Sequence, residues 1–269
     1  MENGSLRSYL DKNFNSITWK QKLSIMFSVA YGLHLIHNFN LTHKDLHLGN
    51  VLQSLINNKN NFIGTTFIGD FGFCKPADEI SSKNIYGVMP YMAPEILRRK
   101  GYTQKSDVYS LGVIINEVIS IIPPFNKEPH DYHLALDICR GKRPEIREES
   151  PKYLKELIQK CWDENPENRP TSEEVMKKLE DYVYIKDNDG YLTEKYTEQV
   201  EKLEELSHEF AQLSTITEST TKTRSFETRS FGTHAQAFYT SRLLNFTNLP
   251  EPVNCPNQQE FISSRNTGK

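Results

Sequence analysis

The stretch Thr42-His43-Lys44-Asp45-Leu46-His47-Leu48-Gly49-Asn50-Val51-Leu52-Gln53 decides the fold of this 269-residue chain. It sets an Asp and an Asn five positions apart, just ahead of a short apolar run. Asp45 suits the role of a base that accepts a hydroxyl proton and orients the nucleophile. Asn50 offers an amide oxygen to a divalent metal. Such a site wants a second hard-oxygen ligand near the end of a neighbouring strand, and Gly69-Asp70-Phe71-Gly72 supplies Asp70. Residues 50–53 and the β-branched, aromatic run Thr65–Ile68 read as paired strands, with NNKNN at 57–61 as a turn or insertion. Gly72 lets the backbone leave the strand sharply. Mg²⁺ prefers this donor chemistry, and the arrangement fits phosphoryl transfer, where catalysis is largely positioning and charge neutralisation.

Working outward, residues 18–40 carry Trp19, Leu23, Met26, Ala30, Leu33 and Ile36 in steps of three and four, which predicts an amphipathic helix capped by Thr18. Between Gly72 and Ser106 no clear periodicity appears, so a long functional loop rather than a core element is expected. From Ser106 to the early 180s the reading is helical, broken at Pro123-Pro124, Arg143-Pro144 and Asn165-Pro166. Leu111–Ile122 reads as a buried helix despite Asn116 and Glu117. Thr171 with Glu174 forms a capping box that opens a last helix near Ser172–Tyr182. A linker, KDNDG at 186–190, precedes an acidic helix whose Leu192, Tyr196, Leu203, Leu206, Phe210 and Leu213 form a near-heptad stripe. Residues 214–233 are rich in Ser and Thr and hold TRSF twice, a composition that predicts disorder. The Pro- and Asn-rich remainder is expected to be irregular.

Bulk properties exclude several classes. A net charge of -3 and a pI near 6.3 give no electrostatic case for nucleic acid or an anionic membrane. No apolar run approaches the ~20 residues of a membrane span, and residues 1–13 lack the pattern of a signal peptide. Four dispersed cysteines (Cys74, Cys139, Cys161, Cys255) without a CxxC pair point to reduced thiols and a cytoplasmic protein. The 37% hydrophobic content supports a core, whereas a mean hydropathy of -0.61 leaves part of the chain polar.

HKDLHLGN at 43–50, GDFG at 69–72, MAPE at 92–95, SDVYSLG at 106–112 and CWDENPENRPT at 161–171 follow one another in that order. Together they resemble the C-terminal lobe of a eukaryotic protein kinase, with the DLHLGN loop and the last signature most similar to the tyrosine-kinase-like group. The resemblance implies a protein-kinase-like α+β fold: a mainly helical lobe over residues 1–183, with a short β-hairpin at the catalytic cleft. A linker and extra helix at 184–213 and a largely disordered tail at 214–269 would follow. It implies ATP and Mg²⁺ as cofactors and a protein substrate, Ser/Thr in preference to Tyr. Residue by residue, Asp45 matches the catalytic Asp, and Asn50 and Asp70 match the Mg²⁺-binding pair. Glu95 matches the acid that bridges to a late Arg, here Arg169. Asp107 matches the helix Asp that holds the catalytic loop, and His43 and Phe71 match members of the apolar spine, with Gly72 beside them. Ser81, Ser82 and Tyr86 become candidate regulatory phosphoacceptors.

The sequence also departs from that pattern. Met1–Leu6 resembles the hinge, and no G-x-G-x-x-G occurs, so the resemblance implies that the small lobe is missing from this chain and that alone it is inactive. Lys44 replaces the usual Arg and loses its bidentate fork. His47 and Val88 replace residues common in Ser/Thr kinases. The competing reading is a non-catalytic, pseudokinase-like scaffold that binds partners through the lobe and through helix 192–213.

Overall fold

The computed structural model describes residues 4–58, 61–77, 85–186, 192–194 and 232–255. The first half of the chain builds a scaffold around the Asp45 loop. Helix α1 (Leu6–Asn13) is followed by α2 (Trp19–Asn38), which starts where expected. The Thr18 side chain accepts from the Gln21 N–H at 3.2 Å, and Gln21 Oε1 accepts from the Thr18 N–H at 2.9 Å, so two N-terminal donors are satisfied reciprocally. Leu23, Met26, Ala30 and Leu33 of α2 are buried, as their spacing dictates. Strand β1 (Leu41–Thr42) leads into the loop, and β2 (Val51–Asn58) and β3 (Asn61–Ile68) form an antiparallel hairpin beyond it. The register runs from Val51↔Ile68 to Asn58↔Asn61. The hairpin is longer than the sequence predicts, because the backbone ladder continues through the Asn-rich end despite its low strand propensity. Strand β4 (Lys75–Pro76) returns to pair with β1.

The expected long loop after Gly72 is in part core. Strand β5 (Ile85–Gly87), a single turn at Met89–Tyr91 and helix α3 (Pro94–Leu97) bury Ile85, Val88, Met89, Tyr91, Met92, Ile96 and Leu97. Three short elements of different geometry share no common period, so their apolar residues carry no repeat.

Helix α4 (Gln104–Ser120) is the central element, buried on every side from Ser106 to Ser120. It meets α6 (Lys152–Cys161) closely, and a Cβ at Gly112 would stand 2.6 Å from the Cys161 Cβ. Asn116 and Glu117, which interrupt its apolar run, both find partners, although the Asn116 Oδ1 and the Tyr109 hydroxyl of the same helix are buried without one among the described residues. The Asn116 side-chain amide donates to the Glu145 carbonyl at 3.0 Å, and Glu117 accepts from Arg7 at 2.7 Å and from the Tyr91 hydroxyl. Helix α5 (Tyr132–Cys139) packs on α3. Helix α7 (Ser172–Val183) packs on α2 and starts at the predicted box, with Glu174 N–H to Thr171 Oγ1 at 3.2 Å and Thr171 N–H to Glu174 Oε2 at 2.7 Å. No helix among the described residues is long and apolar enough to cross a membrane.

Two expectations for the C-terminal part change. Leu192–Glu194, the start of the predicted acidic helix, is strand β7, paired with β6 (Tyr184–Lys186). The rest of that helix, the linker residues 187–190 and the Ser/Thr-rich stretch to 231 lie outside the described residues. Residues 232–255 are ordered against the lobe rather than disordered, contrary to what their composition suggests. Strand β8 (Arg242–Leu244) pairs antiparallel with β5, Leu244 is buried, and Tyr239, Phe246 and Leu249 pack on the core. Four apolar anchors in a polar context are too few to register in composition, yet they suffice once a surface receives them.

His130 holds the start of this strap. Its Nδ1 lies 3.0 Å from both the Phe238 amide nitrogen and the Phe238 carbonyl oxygen, and its Nε2 faces the Phe125 carbonyl at 3.2 Å. Burial holds the His130 pKa below its ordinary 6.5; the Phe238 and Phe125 carbonyls oppose this, Arg242 adds to it and Glu128 opposes it. A released strap therefore binds more protons than a docked one, so its hold is full above about pH 6.5 and is lost as pH falls below it. Amide protection of residues 234–244, corrected for intrinsic exchange, is expected to drop between pH 7.5 and pH 5.5, and to stay level in His130→Gln. Equal protection at both pH values in the parent would refute this.

Candidate active site

The loop from His43 to Asn50 is held from outside by one carboxylate. Asp107, in the first turn of α4, accepts from the His43 N–H at 2.7 Å and the Lys44 N–H at 3.0 Å. The same group meets His37 Nε2 at 3.1 Å, and His37 Nδ1 meets the Ser172 hydroxyl at 2.9 Å. Thus α2, α4 and α7 converge on the loop's entry. Lys44 is there in the left-handed region, at φ 72°. The β1–β4 pair joins the two strands that flank the Asp45 and Asp70 segments.

Inside the loop the polar groups aim at one another. His43 is fully buried; its Nε2 meets the Gly69 carbonyl at 3.0 Å and its ring stands edge-on to Phe71 at 5.7 Å. Asp45 is 5% exposed. The Asn50 side-chain amide donates both to the Asp45 carbonyl at 2.9 Å and to Asp45 Oδ2 at 3.2 Å. His47 Nδ1 accepts from the Gly49 N–H at 3.1 Å, which leaves Nε2 to face Asp45 Oδ2 at 3.7 Å. The Gly69 N–H donates to the Asn50 carbonyl at 2.8 Å, directly beyond the terminal hairpin pair Val51↔Ile68. This bond sets Asp70 next to Asn50 in the fold. Asp70 takes the left-handed conformation, φ 57°, and accepts from the Gly72 N–H at 3.3 Å.

The donor set fits Mg²⁺. Asn50 commits its N–H groups to Asp45, so its amide oxygen remains for a cation. Asp70 is exposed and offers a carboxylate. Among the described residues no cluster of three or more His, Cys, Asp or Glu could hold a metal. Two hard-oxygen ligands, completed by phosphate oxygens and water, match the way Mg²⁺ is held beside a phosphorylated substrate.

Glu95 and Arg169 are not surface charges. Arg169 Nη1 and Nη2 grip Glu95 Oε1 and Oε2 at 2.6 and 2.8 Å, and Arg169 is 1% exposed. Its remaining donors reach the carbonyls of Asp163, Lys105 and Glu164, and its guanidinium faces the Tyr109 ring at 5.2 Å. Of the candidate phosphoacceptors, Ser81 and Ser82 lie outside the described residues. Tyr86 lies on β5, its ring stacked on Phe73 at 5.8 Å and its carbonyl accepting from the Tyr102 hydroxyl at 2.7 Å.

Sequence reasoning missed the cluster of Arg7, Tyr91 and Glu117 under the loop. Burial pushes the Glu117 carboxyl up; Arg7 and the Tyr91 hydroxyl pull it back. Burial also pushes the Tyr91 phenol well up. The readable signal was Glu117 itself: a carboxylate in an apolar helix stays folded there only if paired.

The family described as protein tyrosine and serine/threonine kinase matches residues 1–179. The chain is 32% identical over 186 residues to the RGS domain-containing serine/threonine-protein kinase A of Dictyostelium discoideum, covering 68% of this chain and 16% of that protein. It is 31% identical over 214 residues to a protein kinase and PP2C-like domain-containing protein of Arabidopsis thaliana, covering 66% of this chain and 32% of that protein. The chain thus spans a third or less of the length of these curated relatives. Five motifs in order, a buried loop that joins Asp45 to Asn50, and a family match over most of the chain agree: the chain belongs to the protein tyrosine and serine/threonine kinase family.

Proposed function

We propose that this lobe transfers the γ-phosphoryl group of ATP to a protein hydroxyl, Ser/Thr in preference to Tyr, and that it falls in the tyrosine-kinase-like group. The observation that carries the reading is the bonded pair Asp45–Asn50, tied through the Gly69 N–H to the segment that bears Asp70. Asp45 accepts the hydroxyl proton as the substrate oxygen bonds to the γ-phosphorus, and the bond to ADP breaks. Asn50 holds the Asp45 carboxylate in place and, with Asp70, would hold Mg²⁺. That ion supplies neutralisation of phosphate charge. Asp107 keeps the loop's backbone fixed while this happens, and His43 carries the link to Gly69. The four free thiols fit a cytoplasmic setting.

The test uses the chain joined to a small lobe that carries a Gly-rich loop and a Lys, with labelled ATP and casein. Asp70→Asn is expected to raise the Mg²⁺ needed for half-maximal transfer. Removal of a direct ligand should cost at least the roughly 10–100-fold that loss of a supporting partner costs. An unchanged Mg²⁺ titration in that variant would remove Asp70 from the metal site, and no transfer in the parent would refute the reading.

A further inference from the structure

An unpaired strand edge is a template for another extended chain. Strand β5 lies between Asp70 and Glu95, and its strand partner among the described residues is β8 from the far end of the sequence. The register is Ile85↔Leu244, Tyr86↔Leu243 and Gly87↔Arg242. Two aromatic residues link the surroundings of this edge to the neighbours of Asp45. The Tyr86 carbonyl accepts from Tyr102, whose ring lies 5.8 Å from Lys44 Nζ, one residue before Asp45. In the other direction Gly87 leads to Tyr91, whose ring is 5.9 Å from that of His47, two residues after Asp45.

The strap is held in the manner of a bound peptide rather than of a core strand. Leu244 is 5% exposed, but its neighbour Leu243 is 52% exposed, and Phe238 and Val253 are exposed as well. Arg242 donates to the His130 carbonyl and lies over the strap's own Phe238 ring. Further on, Glu251 takes both prongs of Arg98, and Asn254 bonds to Asp163 at 3.0 Å and to the Glu164 N–H at 3.0 Å, with Glu251 and Asn254 themselves exposed to solvent. Main-chain pairing, a few apolar anchors (here Tyr239, Leu244, Phe246 and Leu249) and a basic contact are how extended segments dock on a sheet edge. A weak site of this kind stays filled when its ligand is tethered, because the effective concentration is in the millimolar range.

We propose that residues 232–255 are a removable occupant, in cis, of the surface on which this lobe receives extended protein segments. The strap must leave before a substrate hydroxyl reaches Asp45. The displacing segments carry a basic residue and, two positions on, an apolar one, as Arg242 and Leu244 do. This rests on the phosphoryl-transfer reading and adds its regulation and substrate class.

The test reads binding alone. A fluorescein-labelled peptide with the sequence of residues 232–255 is titrated with the 269-residue chain and followed by anisotropy. The parent is expected to bind it weakly, because its own strap fills the edge. Leu244→Asp and, with no charge placed in the core, Arg242→Glu are expected to bind it at least tenfold more tightly. Dephosphorylated casein, a generic phosphoacceptor protein, should displace it from both. If Arg242→Glu, folded by circular dichroism, binds the peptide no better than the parent, the strap is not a removable occupant. If casein fails to displace the peptide, the edge is not the substrate surface. Neither readout requires ATP or phosphoryl transfer, so the kinase reading stands or falls separately on the Mg²⁺ assay.

Discussion

Asp45→Asn, in the chain joined to a small lobe, is expected to lower the phosphoryl-transfer rate by about 10²–10⁴-fold, the range that a positioned general base contributes. The substitution is nearly isosteric. An amide oxygen at this position still accepts from the Asn50 side chain, which bonds the parent's Oδ2 at 3.2 Å and its backbone carbonyl at 2.9 Å. The loop therefore keeps its shape while losing the group that receives the proton. In the proposed reading Asn50, Asp70 and the added lobe hold the nucleotide, so its affinity should change little. The expected signature is a large fall in kcat with an ATP KM within about twofold of the parent. Turnover near that of the parent would take Asp45 out of the chemistry. A comparable loss accompanied by weakened ATP binding would assign it to metal binding instead.

Arg169→Ala is expected to destabilise the lobe by about 3–5 kcal/mol, the cost of leaving a buried charge without its partner. The estimate follows from the geometry: both nitrogens of the fork are on Glu95, and the other donors reach three backbone carbonyls. Removing the side chain strands Glu95 and leaves those carbonyls short of a donor. Arg169→Lys should recover only part of the loss, because an ammonium cannot span both carboxylate oxygens. Glu95→Ala combined with Arg169→Ala should cost less than the sum of the single changes. Urea denaturation of the parent and the four variants measures this, and a midpoint for Arg169→Ala equal to that of the parent would refute it.

What could be read in the sequence was short-range. The N-cap at Thr18 and the capping box at Thr171 with Glu174 need only three residues of context, and both form. The Asp45–Asn50 spacing is loop-internal, and the hairpin that sets Asp70 beside it is a local pairing. What escaped depends on distant partners. Ile85–Leu97 looked like loop because its burial comes from tertiary packing, not from a repeat. Arg7 and Glu117 are 110 residues apart, and neither neighbourhood shows the other. The strap at 232–255 has the composition of an irregular tail, and its order derives from the β5 edge and from the grooves that take Tyr239, Leu244 and Leu249. For the acidic stripe, the helical period was outweighed at Leu192–Glu194 by pairing with Tyr184–Lys186.

The single carboxylate that pins the loop's entry has a consequence for how the molecule is made. Asp107 reaches His43 across 64 residues and Arg169 reaches Glu95 across 74, so both closures are non-local. Contacts of that separation form late, after helices and hairpins have assembled from neighbouring residues. Until α4 arrives, the His43 and Lys44 amides have no Asp107 to bond, and only the local contacts with Asn50 and Gly69 hold the chain at Asp45. A nascent or half-assembled lobe can thus own every residue of the site and still lack the site. The geometry around Asp45 is then complete only with the last cooperative step of folding.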